Sequence, residues 1–148
     1  MRTVLFVCTG NTCRSPLAEG LARGLHAKGA IPGVDGRLFV VSAGVFAAEG
    51  VPPSPETVEA LHRRGFQCED GSRPLSKTMI DGADLVLGMT QSHVDAAESI
   101  AADSKTPIFR LDPEKDIDDP IGMGDAAYEQ LAQELERLIP LRLKELLA

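Results

Sequence analysis

Residues 4–17 of this chain read VLFVCTGNTCRSPL, an apolar run followed by a short polar loop and the signals of a helix start. The run Val4–Cys8 shows little alternation of apolar and polar side chains, as expected of a strand covered on both faces. Ser15-Pro16 then predicts a helix with proline at its first helical position. Its apolar face is predicted to carry Leu17, Leu21 and Leu25.

Three more short apolar runs have the same character as the first. They are Leu38–Ser42, Asp84–Met89 and Pro107–Leu111. Helical patterns separate them, and strands that alternate with helices form a parallel sheet with right-handed crossovers. We therefore expect an α/β fold, a three-layer αβα arrangement with a four-stranded parallel sheet, in a single domain over residues 1–148. In such a sheet the reactive site lies beyond the carboxyl ends of the strands.

Further signals mark the other helices. Ser54-Pro55 predicts a second helix start, and Gly65 follows its basic last turn as a stop. Thr90 is predicted to cap a third helix. The last helix is expected to begin near Asp125 and to be kinked or split at Pro140. Its buried face is predicted to carry Tyr128, Leu131, Leu135 and Leu138.

Composition limits the classes of function. The 148 residues are 43% hydrophobic and 25% charged, the balance of a soluble globular protein, and the net charge is −7. That charge disfavours nucleic-acid binding and a basic membrane-surface patch, and no apolar run is long enough to span a bilayer. The N-terminal apolar run is too short for a secretory signal, so a cytoplasmic location is expected. The oligomeric state is left open, with a monomer expected.

Cysteines and histidines do not form a metal-binding or disulfide pattern. An odd number of cysteines in a chain able to form a core argues against a disulfide framework, and their spacing does not suit zinc. The histidines are scattered, and each is interpreted as a surface or helix-face residue. No metal or cofactor is expected. The residues concerned are Cys8, Cys13, Cys68, His26, His62 and His93.

The loop after the first strand carries the chemistry. Cys8 and Arg14 are separated by five residues and lie between a predicted strand and a predicted helix. Backbone N–H groups of such a loop form a nest for a tetrahedral dianion, with the positive end of the helix behind it. Arg14 can grip two oxygens of that anion, and the same field favours the thiolate form of Cys8. The loop thus predicts a nucleophile within an oxyanion cradle.

The segment VCTGNTCRSP over residues 7–16 resembles the signature loop of the low-molecular-weight protein-tyrosine phosphatase family. It is closest to the bacterial branch that includes protein arginine phosphatases. Other segments continue the resemblance over the full length of the chain. They are Ser42–Gly44, Pro53–Pro55, Ala83–Thr90 and Asp119-Pro120.

The resemblance implies a metal-free phosphoprotein phosphatase that forms a phosphocysteine on Cys8. It implies that Asp119 is the general acid, with Asp118 a neighbour and Asp116 a solvated loop charge. It also implies that Ser15 bonds the thiolate and that Asn11 braces the loop through backbone hydrogen bonds. The predicted catalytic residues are Cys8, Arg14, Ser15 and Asp119, and the predicted phosphate-binding residues are Thr9, Gly10, Asn11, Thr12 and Cys13.

The sequence predicts phosphoarginine or phosphotyrosine as the substrate and does not decide between them. Thr12 resembles the arginine-directed branch, since tyrosine-directed members carry a larger aliphatic residue there. Ile121 stands where many members have an aromatic residue, and only 4% of this chain is aromatic. Phe46 is interpreted as either a pocket wall or a core residue.

The loop is also compatible with two other functions and with one form of regulation. A thioredoxin-coupled arsenate reductase needs two further cysteines about seven residues apart, and only Cys68 follows the loop. A non-catalytic phosphate-binding module would lack the nucleophile or the acid, and both are present. Cys13 suggests that peroxide converts Cys8 and Cys13 to a reversible disulfide, with a buried structural Cys13 as the alternative.

Overall fold

The computed structural model describes residues 1–68 and 71–148. Strands and helices alternate along most of the chain, as the sequence predicts. The elements are β1 (Arg2–Cys8), α1 (Arg14–Ala27), β2 (Leu38–Gly44), α2 (Pro55–His62), α3 (Lys77–Gly82), β3 (Leu85–Gly88), α4 (Gln91–Ile100), β4 (Ile108–Arg110) and α5 (Asp125–Leu147).

The four strands form one parallel sheet in the order β2-β1-β3-β4. In this sheet β1 is central, with Cys8 opposite Gly44 of β2 and Val7 opposite Gly88 of β3. The strand order therefore changes direction at β1, and in open parallel sheets such a switch opens a crevice at the carboxyl ends of the strands. The predicted α/β class and the four-stranded parallel sheet are confirmed.

Alternate side chains of β1 enter two separate cores. Val4 and Phe6 pack in a cluster with residues of α1, α2 and α5, whereas Leu5 and Val7 pack with residues of α3 and α4. All four side chains are fully buried. Burial on both faces explains why β1 reads as a continuous apolar run. None of the helices in the described part of the chain is both long and apolar enough to cross a lipid bilayer.

Several helix boundaries differ from the predictions. Helix α1 begins at Arg14, so Pro16 is its third residue, where the missing N–H is still one of the unpaired groups of a helix start. Helix α5 continues through Pro140, and the predicted split is wrong. Apolar residues on both sides of that proline remain buried, among them Ile139 and Leu143, and this packing offsets the lost hydrogen bond. Helix α3 was not predicted.

Candidate active site

The loop between β1 and α1 closes around the sulfur of Cys8. The Ser15 hydroxyl lies 2.8 Å from Cys8 Sγ, and the backbone N–H of Asn11 donates to the same sulfur at 3.3 Å. Cys8 is 2% exposed. The buried sulfur is thus in contact with a hydroxyl and a backbone N–H, beside the positive end of α1. The predicted hydrogen bond between Ser15 and Cys8 is present.

Asn11 braces the loop chiefly through its side chain, which differs from the predicted backbone role. Its backbone adopts the left-handed region at φ 57°. Its Nδ2 donates to Ser15 Oγ at 2.8 Å and to Ser42 Oγ at 2.9 Å, and its Oδ1 accepts the backbone N–H of Arg73 at 3.0 Å. At 3% exposed, the Asn11 side chain lies behind the loop and ties it to β2.

Residues that follow β2 support the other side of the loop. Val45 N–H donates to Cys8 O and Phe46 N–H donates to Thr9 O, both at 2.9 Å. A Cβ at Gly44 would lie 2.4 Å from Thr9 O, so only glycine allows this close approach of the two backbones. Phe46 itself is 87% exposed, which makes the core interpretation wrong and leaves the pocket wall as a prediction.

Cys13 is held by the last helix. Its sulfur lies 3.2 Å from the hydroxyl of Tyr128, and both residues are buried. Burial raises the pKa of the Tyr128 phenol, and the hydrogen bond to Cys13 adds to this effect, so the tyrosine is neutral and able to donate to the sulfur. Cys13 and Cys8 are both free thiols.

Arg14 joins the loop to the acidic segment before α5. Its buried guanidinium donates from Nη1 to the carbonyl of Ile117 at 2.9 Å. Its Nη2 lies 3.4 Å from Thr9 Oγ1 and 3.6 Å from Asp119 Oδ2. The Asp119 side chain is 41% exposed, and its Oδ1 accepts the N–H of Ile121 at 3.1 Å. Arg14 and Asp119, far apart in sequence, therefore face each other across the loop.

These residues enclose a pocket of about 170 Å³. Seven of the nine predicted site residues line it, and Asn11 and Ser15 lie behind it as supports. The pocket combines a buried sulfur, a cation and a carboxyl group, which suits attack on a tetrahedral dianion followed by proton transfer. Its lining comprises Cys8, Thr9, Gly10, Thr12, Cys13, Arg14, Asp119 and Ile121.

His93 is part of this arrangement. It lies on α4, as the helix-face alternative predicts, and the surface alternative is wrong. It is 2% exposed, and its Nε2 lies 2.9 Å from Thr9 Oγ1. Burial and, to a lesser extent, the charge of Arg14 lower the pKa of His93 to about 4, although Asp116 and Asp119 oppose the shift. The spacing of Thr90 and His93, that of a capping box, was the signal available in the sequence.

Asp116 is more than a solvated charge. Its Oδ1 accepts the N–H of Gln91 at 2.9 Å and lies 3.2 Å from Arg110 Nη1. Both contacts favour the carboxylate, and they lower the pKa of Asp116 below its ordinary value, the Gln91 hydrogen bond having the larger effect. Asp116 thus fixes the acidic segment to the start of α4. Within residues 1–68 and 71–148, no group of three or more His, Cys, Asp or Glu side chains could hold a metal ion.

Known proteins are similar in sequence to this chain over nearly its whole length. A protein-arginine-phosphatase of Geobacillus stearothermophilus is 40% identical over 141 residues, which cover 92% of this chain and 90% of the relative. The low molecular weight protein-tyrosine-phosphatase PtpB of Staphylococcus epidermidis is 35% identical over 141 residues, which cover 92% of this chain and 93% of the relative. Relatives named for arginine and relatives named for tyrosine thus have comparable identities.

A solved structure of the YwlE arginine phosphatase, a cysteine-to-serine mutant with a phosphorylated active site serine, has the same fold. Its TM-score is 0.85 at 34% identity, and the match covers 97% of this chain and 96% of that one. Residues 3–148 match the family described as "Low molecular weight phosphotyrosine protein phosphatase". The chain therefore belongs to the low molecular weight phosphotyrosine protein phosphatase family.

Proposed function

We propose that this phosphatase hydrolyses phosphoarginine, and with lower preference phosphotyrosine, in proteins through a phosphocysteine on Cys8. The observation that carries the proposal is the pocket itself, in which Cys8 Sγ lies 2.8 Å from Ser15 Oγ and accepts the N–H of Asn11, while Arg14 and Asp119 belong to the same lining. No single residue of the pocket would suffice, because the chemistry needs the nucleophile, the anion cradle and the acid together.

In the first step the Cys8 thiolate attacks the phosphorus atom. An S–P bond forms while the bond from phosphorus to the leaving nitrogen or oxygen breaks, and its electron pair stays with the leaving group. Asp119 donates its proton to that atom. A phosphoryl dianion also competes with Asp119 for the Nη2 group of Arg14, which lies 3.6 Å from the carboxyl. Substrate binding thus releases Asp119 from Arg14 for its role as the acid.

In the second step a water molecule attacks the phosphocysteine. The Asp119 carboxylate, deprotonated in the first step, takes a proton from this water, and the S–P bond breaks with its electron pair returning to sulfur. Ser15, 2.8 Å from that sulfur, stabilises the departing thiolate. Phosphate leaves, and both Asp119 and Cys8 return to their starting protonation states.

The chemistry of the pocket favours a guanidinium leaving group. Asp119 lies at the mouth and can pair with the N–H groups of a guanidinium, and Thr12 offers a hydroxyl where hydrocarbon would suit a phenol ring better. Ile121 supplies a small apolar wall without an aromatic face on which a phenol could stack. The relatives named protein-arginine-phosphatase support the same preference.

Replacing Thr12 with isoleucine is expected to shift the preference toward phosphotyrosine by about tenfold. The hydroxyl is lost, and the added hydrocarbon lines the space that a phenol ring would occupy. The measurement is the ratio of kcat/KM for phosphoarginine to kcat/KM for phosphotyrosine in the wild type and in Thr12→Ile. Equal ratios in the two proteins would contradict this role of Thr12.

Side-by-side kinetics on phosphoarginine, phosphotyrosine and arsenate test the proposed function as a whole. We expect turnover of phosphoarginine, slower turnover of phosphotyrosine, and no thioredoxin-dependent reduction of arsenate, because the chain has Cys68 alone after the loop. Faster turnover of phosphotyrosine would overturn the substrate preference. Binding of phosphate without turnover of either phosphorylated substrate would favour a non-catalytic binding module.

We also propose that Cys13 protects Cys8 during oxidation. The Cys8 thiolate attacks one oxygen of hydrogen peroxide, the O–O bond breaks, and a sulfenic acid and hydroxide form; the Cys13 thiol then attacks the Cys8 sulfur and releases water to form a disulfide. Added dithiothreitol should restore most of the activity of peroxide-treated wild type but little of that of Cys13→Ala. Equal recovery in both proteins would leave Cys13 as a structural residue held by Tyr128.

A further inference from the structure

The ring of His93 is fixed in one tautomer by its own helix. His93 Nδ1 lies 3.1 Å from the backbone N of Thr90, the N-cap residue of α4. A backbone N–H can only donate, so Nδ1 must accept and carries no proton. In a neutral imidazole the proton then resides on Nε2. The ring is therefore a donor at the end that faces the signature loop.

That donor is directed at the hydroxyl of Thr9. His93 Nε2 lies 2.9 Å from Thr9 Oγ1, and Nη2 of Arg14 lies 3.4 Å from the same oxygen. A guanidinium also only donates, so the Thr9 oxygen accepts from both neighbours. A hydroxyl has two lone pairs and one hydrogen. With both lone pairs used, the hydrogen of Thr9 is left to donate, and Thr9 lines the phosphate pocket.

We propose that His93 is a positioning residue that orients the Thr9 hydroxyl to donate a hydrogen bond to a phosphoryl oxygen of the substrate. Through the same hydroxyl, His93 also supports Arg14. This inference rests on the phosphatase activity proposed above. Without the Nε2 donor, the Thr9 hydroxyl is free to turn its hydrogen away from the pocket. The phosphoryl group then loses one oriented donor, and Arg14 loses the fixed oxygen that helps to hold Nη2. Both losses weaken binding of the dianion and of the transition state.

The test replaces His93 with asparagine. The amide oxygen of asparagine can occupy the place of Nδ1 and accept from Thr90 N–H, but the shorter side chain does not reach Thr9. We expect kcat/KM to fall about ten- to hundredfold and the affinity for inorganic phosphate to fall in the same direction. Ser76→Ala is the control for a loss of stability alone. It removes the N-cap hydroxyl of α3, which accepts the N–H of Met79 and is not part of the pocket, so it should lower the melting temperature but change kcat/KM little.

A double-mutant cycle separates positioning from a general loss of stability. Thr9→Val removes the hydroxyl from an exposed loop position, and Thr9→Ser keeps it, so the valine variant should lose more activity than the serine variant. If His93 acts through Thr9, then His93→Asn should have little further effect in the Thr9→Val background. Additive losses in the double variant would overturn the proposal.

Calorimetric measurement of phosphate binding tests the role of His93 separately from the proposed phosphatase activity. If the wild type binds phosphate but does not hydrolyse phosphoarginine or phosphotyrosine, the proposed function fails, and the binding constants of the variants still decide the role of His93. A folded His93→Asn with wild-type phosphate affinity would overturn that role. Should His93→Asn not fold, wild-type phosphate affinity of Thr9→Val would overturn it equally, because the hydroxyl would then have no part in binding.

Discussion

Cys8→Ser is expected to hydrolyse p-nitrophenyl phosphate at least roughly 10⁴-fold more slowly than the wild type. Serine keeps the size of the side chain and its contacts with Ser15 and Asn11, so the fold is retained. A serine hydroxyl is not ionised at neutral pH, however, and its oxygen is a poorer leaving group than sulfur. Attack and release of the phosphoryl group therefore both become slow.

The control is Cys68→Ser, which removes a half-buried cysteine beyond α2. We expect it to keep the hydrolysis rate of the wild type. Circular dichroism should show the same helix content for both serine variants. A Cys8→Ser protein that hydrolyses p-nitrophenyl phosphate at the wild-type rate would refute the assignment of Cys8 as the nucleophile.

Asp119→Asn is expected to lower kcat/KM for phosphoarginine by about 10²- to 10⁴-fold, and kcat/KM reports formation of the phosphocysteine apart from its later hydrolysis, in which Asp119 acts as the base. Asparagine can still accept the N–H of Ile121 through its amide oxygen, so the loop keeps its shape, but it cannot donate the proton that a basic leaving group requires. The loss should be smaller for p-nitrophenyl phosphate, because p-nitrophenolate can leave without that proton. A larger loss of activity on phosphoarginine than on p-nitrophenyl phosphate is the result expected specifically when the general acid is missing.

Asp118→Asn is the matched control for this experiment. It changes the same functional group one residue earlier in the same acidic segment. Its kcat/KM should remain close to that of the wild type for both substrates. If Asp118→Asn shows the larger loss, or if Asp119→Asn is equally impaired on both substrates, then Asp119 is not the acid.

Local patterns in the sequence predicted most of the framework. The apolar runs found all four strands, and Ser54 and Thr90 marked the starts of α2 and α4 as the structure has them. The six-residue helix α3 was missed because it is too short to show an apolar period. The predicted split at Pro140 is wrong. Proline disfavours a helix interior, but the packing of α5 on the core compensates for this cost, and that packing is not visible in the local sequence.

The part of the site that is built from contiguous residues was predictable from the sequence. Cys8, Arg14 and Ser15 belong to one loop, and their spacing alone indicates an anion cradle. Contacts between distant segments were not predictable in this way. The hydrogen bond between His93 and Thr9 joins residues 84 positions apart, and that between Tyr128 and Cys13 joins residues 115 apart. Such contacts depend on the order of the strands in the sheet, which the sequence pattern does not specify.

The most direct test of the mechanism is to trap the covalent intermediate. Asp119→Asn, mixed with an excess of p-nitrophenyl phosphate and quenched in acid, should carry one phosphoryl group per chain, because p-nitrophenolate leaves without the acid whereas the attack of water lacks its base. Mass spectrometry of the peptides should place that group on the sulfur of Cys8, and Cys8→Ala should carry none. Steady release of phosphate by the wild type, with Cys8 unmodified at every quench time in the wild type and in Asp119→Asn, would contradict nucleophilic catalysis by this cysteine.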